Sequence, residues 1–299
     1  MSGYATSNRR FLVGLIGGNI MGSLSPAIFA DAFEAAGLDG FYHLMDVDRL
    51  PGRRLPQLLD AIKTAGFAGT NITYPFKQDI IPLLDAVDPE AAQTGAVNTV
   101  QIALDGRTTG YNFDRRGWRH SFDETFGRGS AEGATVVLVG AGGAGRAVGF
   151  ALMDLGVAVL VLHDRDAAHA NALRDDIARH YGASRCRVTS DLEGDIAAAN
   201  GVVNATQVGM RGFPGNPVPT SALTATHWCA DVIYTPVDTA FLKAAAAKGA
   251  RVMNGSGMCV HQAVAAFQQF TGITPDVARM HRAFAKALAL RDAAVAASA

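Results

Sequence analysis

The chain has 299 residues, enough for two domains or one large one with an ample core. Its 26 lysines and arginines balance 27 aspartates and glutamates, and no basic or acidic run stands out, so the charge excess of a polyanion binder is absent and nucleic acid is not an expected partner. Apolar segments shorter than a membrane span, a start (MSGYATSNRR) with no signal-peptide core, and three scattered cysteines (Cys186, Cys229, Cys259) point to a cytoplasmic chain without a membrane partner, disulfide framework or tetrahedral metal site.

Strands and helices alternate from the start. Periodicity and glycine stops predict a strand over Phe11 to Ile16, a helix over Pro26 to Ala36, a strand over Phe41 to Asp46, a helix over Leu55 to Ala65 and a strand over Gly69 to Ile72. Short helices near Gln78 to Leu84 and Glu90 to Gln93 precede two strands, Asn98 to Ala103 and Arg107 to Tyr111, turning at Asp105-Gly106. A helix-bearing polar segment, Gly117 to Gly133, leads to a strand at Val136 to Val139. Next come a helix from Ala144 to Leu155, a strand from Ala158 to His163, a helix from Ala167 to Tyr181, and strands near Cys186 to Val188, Gly201 to Asn204 and Trp228 to Ile233. A helix at Thr239 to Lys248, a strand at Ala250 to Met253 and two Ala-rich helices, Met258 to Phe270 and Pro275 to Ala297, complete the chain.

The stretch ATVVLVGAGGAGRA, Ala134 to Ala147, carries the clearest chemistry. Gly140, Gly142 and Gly145 fit a G-x-G-x-x-G turn between strand and helix. The first glycine suits the tight turn, the second a close approach to pyrophosphate and the third close packing of helix on strand. Gly143 and Ala144 lie at the helix start, where free N–H groups and the positive dipole end favour phosphate. Asp164 closes the next strand, about 20 positions downstream, where an acid accepts hydrogen bonds from an adenosine ribose.

Ser23 and Ser25 alternate before Pro26, a spacing that points two hydroxyls to one side of an extended segment to clasp an anion. Ser25 followed by proline reads equally well as an N-cap and first helical position. In GTNITYPFK, Asn71 and Thr73 share a strand face, and Lys77 falls near an expected helix start, whose dipole would lower its pKa toward that of a general base. By position alone Lys77 also reads as a surface lysine. In GYNFD, Asn112 and Asp114 share one side of an extended segment with Phe113 on the other, and a carboxylate beside Lys77 would hold and orient it. Asn204 to Met210 follows a strand where such folds line the cofactor crevice. Tyr234 and Gln262 are polar groups within reach of that crevice or of water, and His163, His180, His227 and His261 show no ligand spacing.

Together the stretches SLSP (Ser23 to Pro26), NITYPFK (Asn71 to Lys77), GAVNT (Gly95 to Thr99), GYNFD (Gly110 to Asp114), GAGGAG (Gly140 to Gly145), NATQVGM (Asn204 to Met210), DVIYTPVDT (Asp231 to Thr239) and NGSGMCVHQA (Asn254 to Ala263) resemble the shikimate dehydrogenases, most closely the NAD-using quinate/shikimate branch. The resemblance implies an α/β fold in two parts. One is a substrate domain with a mixed sheet, residues 1–116 and 256–299; the other is a Rossmann-type doubly wound domain, 117–255, with a cleft between them. It implies substrate carboxylate binding by Ser23 and Ser25, ring-hydroxyl binding by Asn71, Thr73, Asn98 and Gln262, a nearby Tyr234, and Lys77 with Asp114 as the catalytic pair. Gly140, Gly142, Gly143, Ala144, Gly145, Asp164, Arg165, Asn204, Ala205, Thr206, Val232 and Gly255 would meet the cofactor.

Three positions depart from the family pattern: Phe113 stands where Thr is common, Gln207 where Pro is frequent, and Gly22 where many biosynthetic members carry His. Asp164 argues for NAD, because its charge repels a 2′-phosphate, while Arg165 beside it leaves NADP open. The expected activity is oxidation of shikimate, quinate or both, by a monomer or homodimer. The alternatives are a dinucleotide-binding sensor that has lost turnover, or a dehydrogenase for another small alcohol.

Overall fold

The computed structural model describes residues 10–297, so residues 1–9 of the N-terminal stretch read for a signal peptide lie outside the described residues. The chain divides into two compact units, Met1–Ala92 with Ala96–Phe113 and Ala263–Ala299, and Gln93–Gly95 with Asp114–Gln262. No helix among the described residues is long and apolar enough to cross a membrane.

The first unit opens with β1 (Arg10–Gly17), α1 (Ser25–Ala35), β2 (Asp39–Asp46), α2 (Leu55–Thr64) and β3 (Gly69–Ile72). It continues with β4 (Ala86–Val87), α3 (Pro89–Thr94), β5 (Thr99–Ile102) and β6 (Thr108–Tyr111). The sheet runs β2-β1-β3-β5-β6-β4. β1 is parallel to β2 and β3, whereas the β5–β6 hairpin lies antiparallel to β3, giving the mixed sheet expected of this half. One row of the register, Leu15, Asn71, Thr99 and Tyr111, crosses four strands and fixes which loops leave the same end. Below it Ile16, Leu58, Leu59, Ile62, Ile72, Ile80, Val97 and Val100 form the core.

The second unit contains α4 (Asp114–Phe126), β7 (Thr135–Val139), α5 (Gly143–Asp154), β8 (Val159–His163), α6 (Ala167–Tyr181) and β9 (Cys186–Val188). After α7 (Leu192–Ala198) come β10 (Gly201–Asn204), β11 (Trp228–Asp231), α8 (Ala240–Ala247) and β12 (Arg251–Met253). All six strands are parallel in the order β12-β11-β10-β7-β8-β9. Central β7, TVVLV, is buried along both faces, which is why it is continuously apolar rather than alternating. The chain then runs through α9 (Ser256–Thr271), which returns to the first unit at Ala263, and α10 (Val277–Ala297). There Arg279 pairs with Asp31 of α1 at 2.7 Å, and Phe267 packs against Phe29 and Phe33.

Residues 93–95 belong with the second unit although their chain neighbours belong with the first. Two arginines hold them. Arg115 Nη1 donates to Gln93 Oε1 at 2.6 Å while its other nitrogens grip Asp154, and Arg146 Nε donates to the Thr94 carbonyl at 2.6 Å while its Nη2 pairs with Asp176. Gly95 has φ +66°, and a Cβ there would fall 2.6 Å from the Arg146 guanidinium.

Three local expectations are corrected. The helix expected at Gln78 to Leu84 is a run of turns closed by one 3-10 turn, Ile81–Leu83, because Pro82 cannot supply an interior helical N–H. Lys77 therefore stands in a run of turns and at no helix N-terminus. Asp114 does not continue a strand; it is the first residue of α4. Ser25 is not an N-cap: Leu24 holds that position without a side-chain cap, and the Ser25 N–H donates instead to Ser23 Oγ at 3.3 Å.

Candidate active site

In the first unit, the C-terminal ends of β1, β3 and β6 and the N-terminal end of β5 lie along one edge of the sheet. Ser23, Ser25, Thr73, Lys77 and Asn98 all leave from that edge. Buried Asp46, at the end of β2, shapes the first loop by accepting N–H bonds from Asn19 and Ile20 at 3.1 and 3.0 Å. This is a bracing role that the sequence reading missed, and Asn19 sits at φ +54° as a result of that tight path.

Asn71 and Asn98 form a polar network inside this edge. Tyr42 donates its hydroxyl to Asn71 Oδ1 at 2.9 Å, and Asn71 Nδ2 donates to Thr99 Oγ1 at 2.9 Å and the Asn98 carbonyl at 3.3 Å. Asn98 Oδ1 accepts from Thr99 Oγ1 and from the Phe113 N–H, each at 2.9 Å. Both N–H groups of Asn71 are thus used within the unit, whereas no bond from Asn98 Nδ2 occurs among the described residues, leaving a donor for a ligand. Lys77 is anchored through its backbone: its carbonyl accepts the Val97 N–H at 2.7 Å, one residue before Asn98. Phe113 is buried and stacks on Tyr111 at 5.6 Å and 13°, so its ring fills the unit beside the hairpin.

In the second unit the glycines have distinct surroundings. Gly140 has φ +100°, and a Cβ there would lie 2.8 Å from the Ala205 carbonyl; a Cβ on Gly145 would lie 1.9 Å from the Gly140 carbonyl. Both are closed against protein. Gly142, the N-cap of α5, has nothing within 4 Å of its Cβ position, so the open face lies at the helix start beside Gly143 and Ala144. That is the pattern a dinucleotide pyrophosphate requires, and the residues present fit it.

Half-buried Asp164 turns one carboxylate oxygen to the Ala141 N–H at 2.7 Å and the other to the Asp166 N–H at 2.9 Å. A carboxylate accepts about four bonds, so it braces the glycine turn and still has capacity for ribose hydroxyls. Arg165 next to it is exposed.

At the ends of β10 and β11, Asn204 is wholly buried. Its Nδ2 donates to the Val208 carbonyl and Asp231 Oδ1, both at 3.1 Å, and its Oδ1 accepts from the Thr206 N–H and hydroxyl at 3.0 and 2.7 Å. The side chain is an internal brace, with half-buried Ala205 and Thr206 on the loop it shapes. Val232 donates its N–H to the Asn204 carbonyl at 3.0 Å, and a Cβ on Gly255 would lie 2.0 Å from the Val232 carbonyl, so those three segments are in close register. Asp231, which the sequence reading did not single out, is fully buried among them, and burial pushes its carboxyl up to about 6.

Asp114 is buried at the start of α4, the helix end that favours negative charge. Gln262 is half-buried on α9 and donates to the Cys259 carbonyl at 2.9 Å; Tyr234 is half-buried after β11. Asp114 and Gln262 are the first and last residues of the long 114–262 stretch of the second unit, directly after Phe113 and directly before Ala263.

Two family descriptions match the chain: the shikimate dehydrogenase substrate binding domain over residues 15–100 and the shikimate 5′-dehydrogenase C-terminal domain over residues 255–283. A quinate/shikimate dehydrogenase (NAD(+)) of Corynebacterium efficiens is 47% identical over 91% of this chain and 97% of its own. A shikimate dehydrogenase (NADP(+)) of an Arthrobacter strain is 40% identical over 96% of this chain and 99% of its own. Among solved structures, quinate dehydrogenase from Corynebacterium glutamicum in complex with NAD superposes with a TM-score of 0.86 at 43% identity, covering 93% of this chain and 99% of that one.

Proposed function

Because the chain belongs to the shikimate dehydrogenase family, we propose that it catalyses reversible, NAD-preferring oxidation of shikimate to 3-dehydroshikimate, of quinate to 3-dehydroquinate, or of both. The observation that carries this reading is the gathering of Ser23, Ser25, Asn71, Thr73, Lys77 and Asn98 at one sheet edge, the residues that the family resemblance assigns to substrate binding and, for Lys77, to catalysis. The Ser23 and Ser25 hydroxyls suit the carboxylate. Asn98, through its unspent Nδ2, together with Thr73 and Gln262, suits the ring hydroxyls, and Asn71 holds that set in register. Tyr234 completes the surroundings.

Lys77 and Asp114 form the proton-transfer pair. In oxidation they accept the proton of the reacting hydroxyl as a hydride leaves the same carbon; in reduction the lysine ammonium returns a proton to the developing alkoxide. A bound nicotinamide cofactor supplies the hydride-transfer chemistry, and Gly140, Gly142, Gly143, Ala144, Gly145 and Asp164 would hold its dinucleotide.

Preference for NAD rests on Asp164, whose charge accepts ribose hydroxyls and repels a 2′-phosphate; exposed Arg165 is the group that would moderate it. The enzyme is expected to work in the cytoplasm as a monomer or homodimer, in quinate breakdown or aromatic biosynthesis. Initial rates for shikimate and quinate, each with NAD and with NADP, test the reading. Turnover is expected with NAD for at least one substrate, and no turnover in any of the four pairings overturns it.

A further inference from the structure

The second unit's cradle is asymmetric about β7. If the pyrophosphate sits over the α5 start and the adenosine ribose reaches Asp164 at the end of β8, the nicotinamide half must extend the other way, over the ends of β10 and β11. Those two ends share one buried group. Asp231 Oδ1 accepts from Asn204 Nδ2 at 3.1 Å and from the Ile233 N–H at 3.0 Å, and its Oδ2 accepts from the Thr239 hydroxyl at 2.8 Å.

Each donor continues into a different segment. Asn204 fixes the loop through Thr206 and Val208. Ile233 returns its carbonyl to the Gly255 N–H at 2.9 Å, the start of the segment leading into α9. Thr239 caps α8 by accepting the Leu242 N–H at 3.3 Å. Three segments that follow β10, β11 and β12 are therefore tied to one carboxylate that is itself fully buried and out of a ligand's reach.

We propose that Asp231 is the positioning residue of the nicotinamide half of the cofactor site, acting through Asn204, Ile233 and Thr239 to set the backbone on which the ring and its ribose lie. This rests on the reading of the second unit as a dinucleotide cradle. The carboxylate can only accept, and all its partners donate; an amide in its place keeps an oxygen for Asn204 and Ile233 but turns its NH2 toward Thr239, whose hydroxyl must reverse from donor to acceptor, and removes the charge that holds the three segments.

The two halves of the cofactor separate the role from a general structural one. Asp231→Asn, checked for cooperative unfolding, is titrated with NAD and with ADP-ribose by calorimetry beside the wild type. NAD binding is expected to weaken by about tenfold or more, with ADP-ribose, which lacks the nicotinamide, changed by less than about twofold. Should Asp231→Asn fail to fold, Thr239→Val, which removes one donor, is read in the same way and is expected to weaken NAD alone by about threefold. Equal weakening of both ligands, or no change in either, overturns the proposal. Failure of the wild type to bind either ligand would instead overturn the cradle reading beneath it.

Discussion

The two sheets end in polar clusters of opposite kind. In the first unit, Tyr42, Asn71, Asn98 and Thr99 are linked as neutral groups, with the Asn71 amide making three of the four bonds, so the network holds no charge. In the second, Asn204, Ile233 and Thr239 converge on one buried carboxylate. A buried charge must be solvated entirely by protein dipoles, so it fixes its partners firmly and leaves them unpaired if it goes. A neutral amide cluster orders its strand ends without titrating; a carboxylate cluster ties loops together and adds a pH dependence.

The largest expected effect lies outside both clusters. Lys77→Ala should lower kcat by about 100- to 10,000-fold while NAD binding, followed by titration, stays unchanged. A fall of less than tenfold would return Lys77 to an ordinary surface lysine. Within the comparison itself, Asp231→Val should cost on the order of 3 kcal/mol in urea unfolding because three buried donors lose their acceptor, and Asn71→Leu about 1–2 kcal/mol. Equal losses would erase the distinction between the clusters.

The pH dependence sharpens it further. Burial pushes Asp231 up to about 6 from an unfolded value of 3.8, so the folded chain binds that proton more tightly than the unfolded chain does. Its contribution to stability is full below pH 3.8, declines as pH rises toward 6 and is lost above; its hydrogen-bonding partners are all uncharged. Relative to non-titrating Asp231→Asn, the wild type should therefore lose on the order of 2–3 kcal/mol between pH 4 and pH 7, measured by denaturant unfolding at each pH. The difference between wild type and Asn71→Leu should stay flat over the same window. The smallest effect is expected at Asp164→Ala, which should move the NAD:NADP ratio of kcat/KM toward NADP by about tenfold; an unchanged ratio would detach cofactor choice from this carboxylate.

The sequence was most legible where backbone geometry selects a residue type. Gly140, Gly142 and Gly145 are set by a positive φ, an open face and a 1.9 Å approach that no side chain tolerates, and spacing alone reveals such constraints. It was least legible where a side chain's role depends on distant partners. Asp231 and Asp46 read as ordinary acids at strand ends, because nothing local announces that Asn204 and Thr239, or Asn19 and Ile20, will donate to them. Asp114 was misread as strand because the β6 ladder ends through a remote acceptor: Asn98 Oδ1 takes the Phe113 N–H, and the helix begins at the next residue. Short elements escaped for want of length, among them α7 with seven residues and β4 with two.

Residues 93–95 set a limit on modularity. A gene fragment spanning 114–262, the natural choice for a stand-alone dinucleotide-binding module, would omit Gln93 and the Thr94 carbonyl, taking one buried acceptor each from Arg115 Nη1 and Arg146 Nε while their pairs with Asp154 and Asp176 remain. The unit is discontinuous through this three-residue graft alone, separated from its 114–262 body by the first-unit stretch Ala96–Phe113. Recombining such modules between relatives would succeed only when the graft travels with its two arginines.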